Sequence, residues 1–381
     1  MIIKNAKIYT MAGSVIENGY IEFSDKIKSL GEMKDCPEGE AFDANGKRLY
    51  PGFVDAHCHI GIIEDSVADE GDDCNEMTDP VTPQLRALDA VNALDKSFIH
   101  AKQAGITTTL TGPGSSNPIA GQIVAMKTHG ICIDDMIIKA PVAMKFALGE
   151  NPKRIYGDNK SSPSTRMAIA SIIREELRKA REYADKNPET REYDAKLEAL
   201  SLLFTQKLPV HVHAHRVDDI FTAIRIFEEF NLDYCILHCT QGHLIAQRLG
   251  EKGVKVCAGP MIADRTKIEL SHATLENPGI LSKNGVLTAI ITDHPELPIQ
   301  YLPICAGLAV REGMDYEEAL KAITINPAKI CKIDDRVGSL EVGKDADMCL
   351  FDCDPITLMA KPKMVICEGQ IAFEEAELCA R

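Results

Sequence analysis

The sequence predicts an α/β protein in which a (β/α)8 TIM barrel is joined to a small β-sandwich domain built from both termini. Between residues 51 and 333, short apolar runs alternate with helical segments, and alternating βα units imply a parallel sheet with helices outside it. Eight such runs occur over this range. A barrel of this kind needs eight strands within roughly 250 residues.

The two ends of the chain have a different pattern. Residues 2–49 contain short apolar runs broken by Gly, Asn and Asp, which is typical of strands joined by tight turns. The strand pattern returns at residues 346–351 and 364–373. Because chain termini often lie close together, we predict that residues 1–50 and 334–381 form one composite β-sandwich and that residues 51–333 form the barrel.

Strand and helix signals can be placed along the barrel segment. One helix is predicted to begin at Thr82-Pro83 and to end before Gly105, and a second has an apolar stripe from Val217 to Phe227. Residues 164–206 are predicted to be a helical insertion that caps the site or contacts another subunit. The barrel strands are predicted near residues 52–57, 106–111, 131–138, 142–148, 209–214, 234–239, 254–258 and 286–293.

Composition restricts the class of protein. The chain has 381 residues with a formal net charge of −15, which argues against nucleic acid or an anionic membrane as a partner. Its 13 cysteines, without the layout of a signal peptide, predict reduced thiols and a cytoplasmic location. No apolar run approaches membrane-spanning length. The acidic run from Glu64 to Asp79 is expected to be a solvated loop.

Histidines collect at the predicted ends of the barrel strands. His57 and His59 lie two residues apart, so both imidazoles face one side of the first strand. Active sites of such barrels lie at the carboxyl ends of the strands, and neutral imidazole is a common metal ligand. Seven of the 11 histidines fall at these ends, which predicts a metal centre there. The other strand-end residues of interest are His211, His213, His215, His238, Asp293 and His294.

These motifs, in this order, resemble the amidohydrolase superfamily. The first strand carries Pro51-Gly52-Phe53-Val54-Asp55-Ala56-His57-Cys58-His59. A lysine or glutamate follows on strand four, one histidine each on strands five and six, and an aspartate on strand eight. The tail adds Asn326-Pro327-Ala328 and the run Gly338–Asp347. The resemblance spans nearly the whole chain, and the most similar branch is the imidazolonepropionase-like metal-dependent amidohydrolases.

The resemblance implies a hydrolase that cleaves a non-peptide carbon–nitrogen bond, in a cyclic or linear amide of a small molecule, with a metal-activated water. One or two divalent ions are implied, with zinc expected. Carried over by position, the implied metal ligands are His57, His59, Lys145, His213, His238 and Asp293.

Two of these residues also have implied catalytic roles. Asp293 would take a proton from the attacking water and deliver it to the leaving nitrogen. His238, or His215 beside it, would stabilise the tetrahedral oxyanion if it is not a ligand. On strand five, His213 is chosen over His211 and His215 because relatives usually show the ligand as His-Ala.

The strand-four ligand has two candidates. Lys145 lies within the strand and would serve only if carboxylated, because an ammonium repels a metal ion. Glu150 follows the strand. We favour Lys145; the alternatives are an internal salt bridge for Lys145 and an acid at a helix N-terminus for Glu150. After strand two, the loop 112–117 is either an anion-binding turn or an ordinary one.

The sequence leaves two other functions open. The runner-up activity is a dipeptidase or an N-acyl-amino-acid hydrolase, with Lys153 or Arg154 holding a substrate carboxylate. A non-catalytic scaffold of the same fold is the alternative of another class, and the complete set of ligands argues against it. A small-molecule substrate and a homo-oligomer are expected.

Overall fold

Two eight-stranded sheets organise the chain, and the computed structural model describes residues 1–375. The strands are β1 (Ile2–Ile8), β2 (Ile16–Phe23), β3 (Ile27–Glu32), β4 (Ala41–Asp43), β5 (Arg48–Pro51), β6 (Phe53–Cys58), β7 (Ile106–Thr111), β8 (Ile119–Lys127), β9 (Ile137–Ala147), β10 (Val210–Ala214), β11 (Tyr234–His238), β12 (Lys255–Ala258), β13 (Leu287–Ile290), β14 (Met348–Phe351), β15 (Met364–Cys367) and β16 (Gln370–Glu374).

Eleven α-helices lie within the described residues, and short 3₁₀ turns connect several elements. None of these helices is long and apolar enough to cross a membrane. The helices are α1 (Ser97–Gln103), α2 (Ile133–Met136), α3 (Glu150–Asp158), α4 (Arg166–Ala184), α5 (Ala195–Thr205), α6 (Val217–Glu229), α7 (Ala246–Glu251), α8 (Asn277–Lys283), α9 (Leu302–Arg311), α10 (Tyr316–Lys321) and α11 (Ile325–Ile330).

The barrel sheet contains β6 to β13, and strands that follow one another in the chain are neighbours in the sheet. Their alternation with helices confirms the predicted α/β barrel. Five of the seven neighbouring pairs are parallel, whereas β8 runs antiparallel to both β7 and β9. The sheet is therefore a TIM-like barrel with one reversed strand.

The predicted third strand, near residues 131–138, is wrong. The chain forms a turn and the short helix α2 there, and the single strand β9 covers only the last two residues of the predicted third strand and most of the predicted fourth. The third position belongs to β8, which the sequence analysis overlooked. Only residues 112–118 separate β7 from β8, and a parallel crossover needs a dozen residues or more. A hairpin is the only connection this loop can make, so β8 returns antiparallel.

The helix predicted to begin at Thr82 is also wrong over most of its length. In this region only α1 is α-helical, Ala87–Asp89 form a single 3₁₀ turn, and the side chains of Leu85 and Leu94 are exposed. The Thr82 hydroxyl does not cap a helix; it donates to the carbonyls of Ile119 and Ala120 in β8. These hydrogen bonds hold the segment in an extended conformation along β8, and this conformation excludes a helix at Thr82.

The insertion at residues 164–206 is helical as predicted, and it lies against the outside of the barrel. The Thr165 side chain caps α4 and the Asp194 side chain caps α5 by accepting from backbone N–H groups. Apolar side chains of both helices share one buried cluster with α6, and Arg166 pairs with Asp219 of α6 at 3.0 Å. These contacts account for the position of the insertion in the outer helical layer.

The second sheet joins the two ends of the chain. Its order is β16-β15-β14-β5-β1-β2-β3, with β4 added beside β1. The link between the termini is the antiparallel pair β14–β5, in which Leu350 lies opposite Leu49. The predicted sandwich is thus one hydrogen-bonded sheet whose inner side chains, including Ile21 and Phe23, form their own buried cluster. The division into domains at residues 50/51 and 333/334 stays a prediction.

A buried ionic network connects this terminal sheet to the barrel. Lys127, at the end of β8, is 1% exposed, and its Nζ lies 2.7 Å from Asp345 Oδ2 and 2.6 Å from Asp347 Oδ2. Both acids precede β14. Arg336 also contacts Asp345, at 2.8 Å. The lysine would be an uncompensated buried charge without these two acids, so the network fixes the tail on the barrel.

A polar seam joins the first and last strands of the barrel. Asp55 in β6 is fully buried, and its carboxylate accepts hydrogen bonds from the Thr292 hydroxyl and from the backbone N–H of His57 at 3.3 Å. Past the end of β13, Asp293 N–H donates to the carbonyl of His57 in β6 at 3.2 Å, and His59 N–H donates to His294 O at 2.8 Å. Burial raises the pKa of the Asp55 carboxyl to about 7.

We predict that the double change Asp345→Asn with Asp347→Asn destabilises the protein strongly. It leaves the Lys127 ammonium buried without a counter-charge, which costs about 3–5 kcal/mol in comparable cases. Urea unfolding measures the difference. The control is Asp352→Asn, which removes an exposed partner of Lys363 at 3.0 Å and should cost at most about 1 kcal/mol. Equal effects of the two changes would contradict the network's role.

We further predict that Asp55→Asn alters the pH dependence of stability. The folded pKa of Asp55 is raised above its unfolded value, so its stabilising contribution is complete below about pH 4 and is lost as the pH rises towards 7. Wild type should therefore lose about 4 kcal/mol at most, relative to the variant, between pH 4 and pH 8. Urea unfolding of both metal-free proteins tests this; parallel pH curves would refute it.

Candidate metal centre

A first group of side chains lies where the first and last barrel strands end. His57 lies in β6 and His59 follows it, and both Nε2 atoms approach Asp293 Oδ1, at 3.3 Å and 3.4 Å. Lys145 of β9 adds its Nζ at 3.1 Å from His57 Nε2. His57 and Lys145 are fully buried, and 14% of the Asp293 side chain is exposed. The four residues therefore converge at the inner end of the barrel mouth.

A second group lies beside the first. His213 lies in β10, and His215 follows the end of that strand. Their ring centroids are 4.5 Å apart. The Glu269 Oε1 atom lies 3.7 Å from the Nε2 atom of each. His238, at the end of β11, lies between the two groups. A potential ligand atom of His238 is within 4.8 Å of ligand atoms of His213 and His215. One is also within 4.8 Å of ligand atoms of His57 and Asp293.

Several of these imidazoles are oriented by a contact on their far side. His59 Nδ1 donates to the Gly112 carbonyl at 2.7 Å, and His238 Nδ1 donates to the Gly259 carbonyl at 2.8 Å. His215 Nδ1 hydrogen-bonds with the Thr240 hydroxyl at 2.7 Å. Metal-bound histidines usually have such a partner, which selects the tautomer whose Nε2 lone pair is free.

Two of the central residues have strained backbones. His238 has φ +69° and Asp293 has φ +55°, both in the left-handed region that non-glycine residues rarely adopt. Each is found where a barrel strand gives way to a loop. Strain of this kind is typical of functional sites, where the surrounding structure holds a side chain in a required direction.

The environment of Lys145 bears on its form. Burial lowers the pKa of its ammonium to about 8. Among the described residues, no carboxylate comes within 4 Å of its Nζ, so the internal salt bridge considered from the sequence is not formed. Part of the lysine population is therefore neutral near physiological pH, which is the form that reacts with carbon dioxide to give a carbamate.

Burial also lowers the pKa of His213, His215 and His238. These imidazoles are therefore neutral, as a metal ligand must be. For Asp293, burial opposes ionisation, but His238, His57 and His59 outweigh it and hold the carboxyl pKa well below its usual range. At His59, burial lowers the pKa, but Cys74 and Asp293 outweigh it and raise the pKa to about 10, so this imidazole must lose a proton when it binds a metal ion.

The unpartnered atoms and the donor separations of this site match those that a bound divalent ion requires. Buried polar atoms nearly always have hydrogen-bond partners, yet His213 Nδ1 and Nε2, His238 Nε2 and Glu269 Oε1 have none among the described residues. The separations of 3.3 and 3.4 Å from Asp293 Oδ1 match the roughly 3.3–3.4 Å between donors of a tetrahedral ion bound at about 2.0–2.1 Å. These residues fit a metal ion.

A cavity of about 1230 Å³ opens onto the centre. Its lining includes His59, His213, His215, His238 and Asp293, together with polar and charged residues from the βα loops. The loop after β7 contributes Gly114, Ser115 and Ser116, and the cationic residues at the wall include Arg154, Arg265 and Lys267. The cavity is large enough for a small molecule and presents both cationic and acidic groups to it.

Not every candidate from the sequence reaches the centre. The structure places Glu150 at the first position of α3, with its backbone N–H donating to Glu269, as expected of an acid at a helix N-terminus. Lys153 is exposed and is not part of the cavity wall, whereas Arg154 is. His211 is fully buried within β10, away from the strand end.

Two further residues were missed by the sequence analysis, and a third was set aside. Glu269 lies in a short 3₁₀ turn with no motif around it, so no local signal pointed to it. His215 was weighed as the strand-five ligand and set aside for His213, with an oxyanion role left open. Cys74 lies in the acidic run predicted to be solvated, yet it is 3% exposed and lines the cavity. That loop therefore forms part of the wall of the site.

Comparisons with known proteins agree with this geometry. The Amidohydrolase family matches residues 48–372. A crystal structure of an amidohydrolase from Thermotoga maritima MSB8 has a TM-score of 0.94 at 40% identity and covers 98% of this chain and 100% of that chain.

Two curated relatives are more distant. An imidazolonepropionase of Brevibacillus brevis is 24% identical over 422 residues, covering 96% of this chain and 92% of that protein. The amidohydrolase tasK of Hapsidospora irregularis is 28% identical over 392 residues, covering 95% of this chain, and the chain spans 40% of that protein's length.

The superfamily resemblance inferred from the strand-end motifs is confirmed by the family match and by the structural neighbour. The similarity to imidazolonepropionases agrees with the branch suggested from the sequence. The chain therefore belongs to the amidohydrolase family, a family of hydrolases that act on carbon–nitrogen bonds.

Proposed function

We propose that this protein is a metal-dependent hydrolase that cleaves a non-peptide carbon–nitrogen bond, in a cyclic or linear amide of a small molecule. The convergence of His57, His59 and Asp293 with the free nitrogens of His213 and His238 carries the proposal. Family membership supports an enzyme over a non-catalytic scaffold.

The residues proposed to hold the metal are His57, His59, Lys145, His213, His238 and Asp293. A divalent ion bound there would supply the positive charge that lowers the pKa of a water molecule and polarises a carbonyl. Nitrogen donors with one carboxylate suit zinc, so zinc is the proposed ion. If two ions are bound, a carboxylated Lys145 would lie between them, and its lowered pKa favours that modification.

Asp293 is proposed as the proton carrier. Its carboxylate faces the cavity and stays ionised because His238, His57 and His59 surround it. It would accept a proton from the attacking water and pass it to the leaving nitrogen, which makes that nitrogen a better leaving group. His238, whose Nδ1–H is held by Gly259, would orient the substrate carbonyl or stabilise the oxyanion.

A substrate screen tests the reaction class. It should contain lactams, hydantoins and other cyclic amides, with N-acyl amino acids and dipeptides as the runner-up class. The cations Arg154 and Lys267 at the cavity wall suit substrates that carry a carboxylate. Turnover of dipeptides alone would favour the dipeptidase alternative. A cytoplasmic location and a homo-oligomer stay predictions.

We predict that changing His57 and His59 to alanine removes the metal ion bound with Asp293. Two of its nitrogen donors are lost together, so metal content measured by mass spectrometry should fall by about one equivalent and hydrolysis should cease. The matched control changes His100 and His272, two histidines outside the centre. Retention of full metal content and activity in the His57/His59 variant would refute the assignment.

We also predict that Asp293→Asn keeps most of its metal and loses about 10²–10⁴-fold in kcat, which is the usual contribution of general acid–base catalysis. Asparagine keeps one oxygen donor and cannot accept the proton. Asp264→Asn is the control, because Asp264 lines the same cavity. Near wild-type turnover in a metallated Asp293→Asn would exclude the proton-carrier role. Loss of metal and rate together would make Asp293 mainly a ligand.

A further inference from the structure

We propose that Lys267 binds the carboxylate group of the substrate and thereby selects amides that carry a carboxylate over neutral amides. The inference rests on the proposed function and deepens it, because it names the substrate class for the same cavity. Lys267 follows β12, in the loop that leads to α8, and it lines the cavity in front of the metal centre.

The burial of Lys267 distinguishes it from the other charged residues of the cavity wall. Lys267 is half-buried. Water screens exposed charges, so they contribute little to the binding of a ligand. A half-buried ammonium binds an anion more strongly, because less water competes for it. Among the described residues of this wall outside the metal centre, the other charged ones are all exposed, namely Arg154, Asp264, Arg265, Glu276, Glu296 and Glu312.

The ammonium of Lys267 has no counter-charge within the protein. Glu269, two residues further along the chain, is engaged elsewhere: its Oε2 accepts from the Glu150 backbone N–H, and its Oε1 approaches His213 and His215. Within residues 1–375, no carboxylate oxygen lies within 4.0 Å of Lys267 Nζ. A charge withdrawn from water without a partner is unfavourable. A substrate carboxylate would supply that partner.

The backbone at Lys267 is held in place by a short turn. Its carbonyl accepts from the Leu270 N–H at 3.0 Å, where the 3₁₀ turn Ile268–Leu270 begins. Within this turn Glu269 is 1% exposed, and its bond of 3.1 Å from the Glu150 N–H anchors the turn on α3. The point from which the lysine side chain extends is therefore fixed before a ligand binds, which lowers the entropy cost of binding.

The charge of Lys267 reaches the metal centre. Burial lowers the pKa of His213, His215 and His238, and the positive charge of Lys267 adds to the decrease at each of them. The lysine and the centre also line one cavity of about 1230 Å³. A small molecule could therefore place its amide carbonyl at the centre and its carboxylate at Lys267.

The loop after β7 favours a carboxylate over a phosphate as the anion. Phosphate sites usually combine several free backbone N–H groups. In this loop the Gly114 N–H donates to Cys74 O at 2.9 Å, and the Ser116 N–H donates to Asn75 Oδ1 at 3.1 Å. The loop is thus an ordinary turn tied to the neighbouring wall rather than an anion-binding turn. One ammonium matches the single charge of a carboxylate.

Binding calorimetry on the zinc-loaded protein tests the inference. The probes are two pairs in which a carboxamide of similar size replaces the carboxylate: L-pyroglutamate with L-pyroglutamamide, and N-acetyl-L-alanine with N-acetyl-L-alaninamide. The wild type should bind each acid about 10–100-fold more tightly than its amide, the usual contribution of a hydrogen bond to a charged group. Lys267→Met should lose most of this preference without weakening the binding of the amides, and Lys267→Arg should keep it.

The matched control is Lys153→Met, which removes the same charge from an exposed lysine outside the cavity wall and should keep the preference. A folded Lys267→Met variant that still prefers the acids would overturn the inference, and so would equal binding of acid and amide by the wild type. If Lys267→Met does not fold, a crystal structure of the wild type with N-acetyl-L-alanine decides. A carboxylate within hydrogen-bond distance of Lys267 Nζ supports the inference, and a carboxylate bound elsewhere refutes it.

The outcome also separates this inference from the proposed function. Hydrolysis of amides without a preference for the acids overturns the role of Lys267 and leaves the hydrolase in place. A preference for acids that depends on Lys267, without hydrolysis of any compound in the screen, supports the binding role and counts against the proposed reaction.

Discussion

The carboxylate of Asp55 holds the two ends of the barrel sheet together. It lies in β6 and accepts from Thr292, just beyond β13, so the first and last strands are tied side by side in one register. Because side chains alternate along a strand, a slip of one residue would turn His57 and His59 towards the wrong face. The backbone contacts of Asp293 with His57 and of His59 with His294 depend on the same register.

The metal centre concentrates polar groups where the barrel is otherwise apolar. His57, Lys145, His213 and Glu269 are all nearly or completely buried, and several of their polar atoms have no partner within the described part of the chain. Desolvation lowers the pKa of His57 and His213, which keeps both imidazoles neutral, and it brings Lys145 towards neutrality. The apolar layers around the barrel supply the stability that permits such a site, and metal binding would add to it.

The terminal sheet is attached at the opposite end of the barrel from the metal centre. Lys127 pairs with Thr108 near the start of β7, whereas the histidines lie where the parallel strands end. This arrangement follows from the reversed direction of β8, which carries Lys127 back to the closed end of the barrel. There the lysine meets Asp345 and Asp347, so the sheet supports the barrel without obstructing its open end.

The sequence by itself determined the features that depend on neighbouring residues. Strand alternation placed His57 with His59, and apolar runs located seven of the eight barrel strands, because both signals are local. Tertiary structure decided the rest. The direction of β8 depended on a short loop between two strands, and the lowered pKa of Lys145 depended on its burial in the folded barrel. Glu269 came to the centre from a segment without a motif, because its position is set by contacts with Glu150 and the histidines, which are distant in sequence.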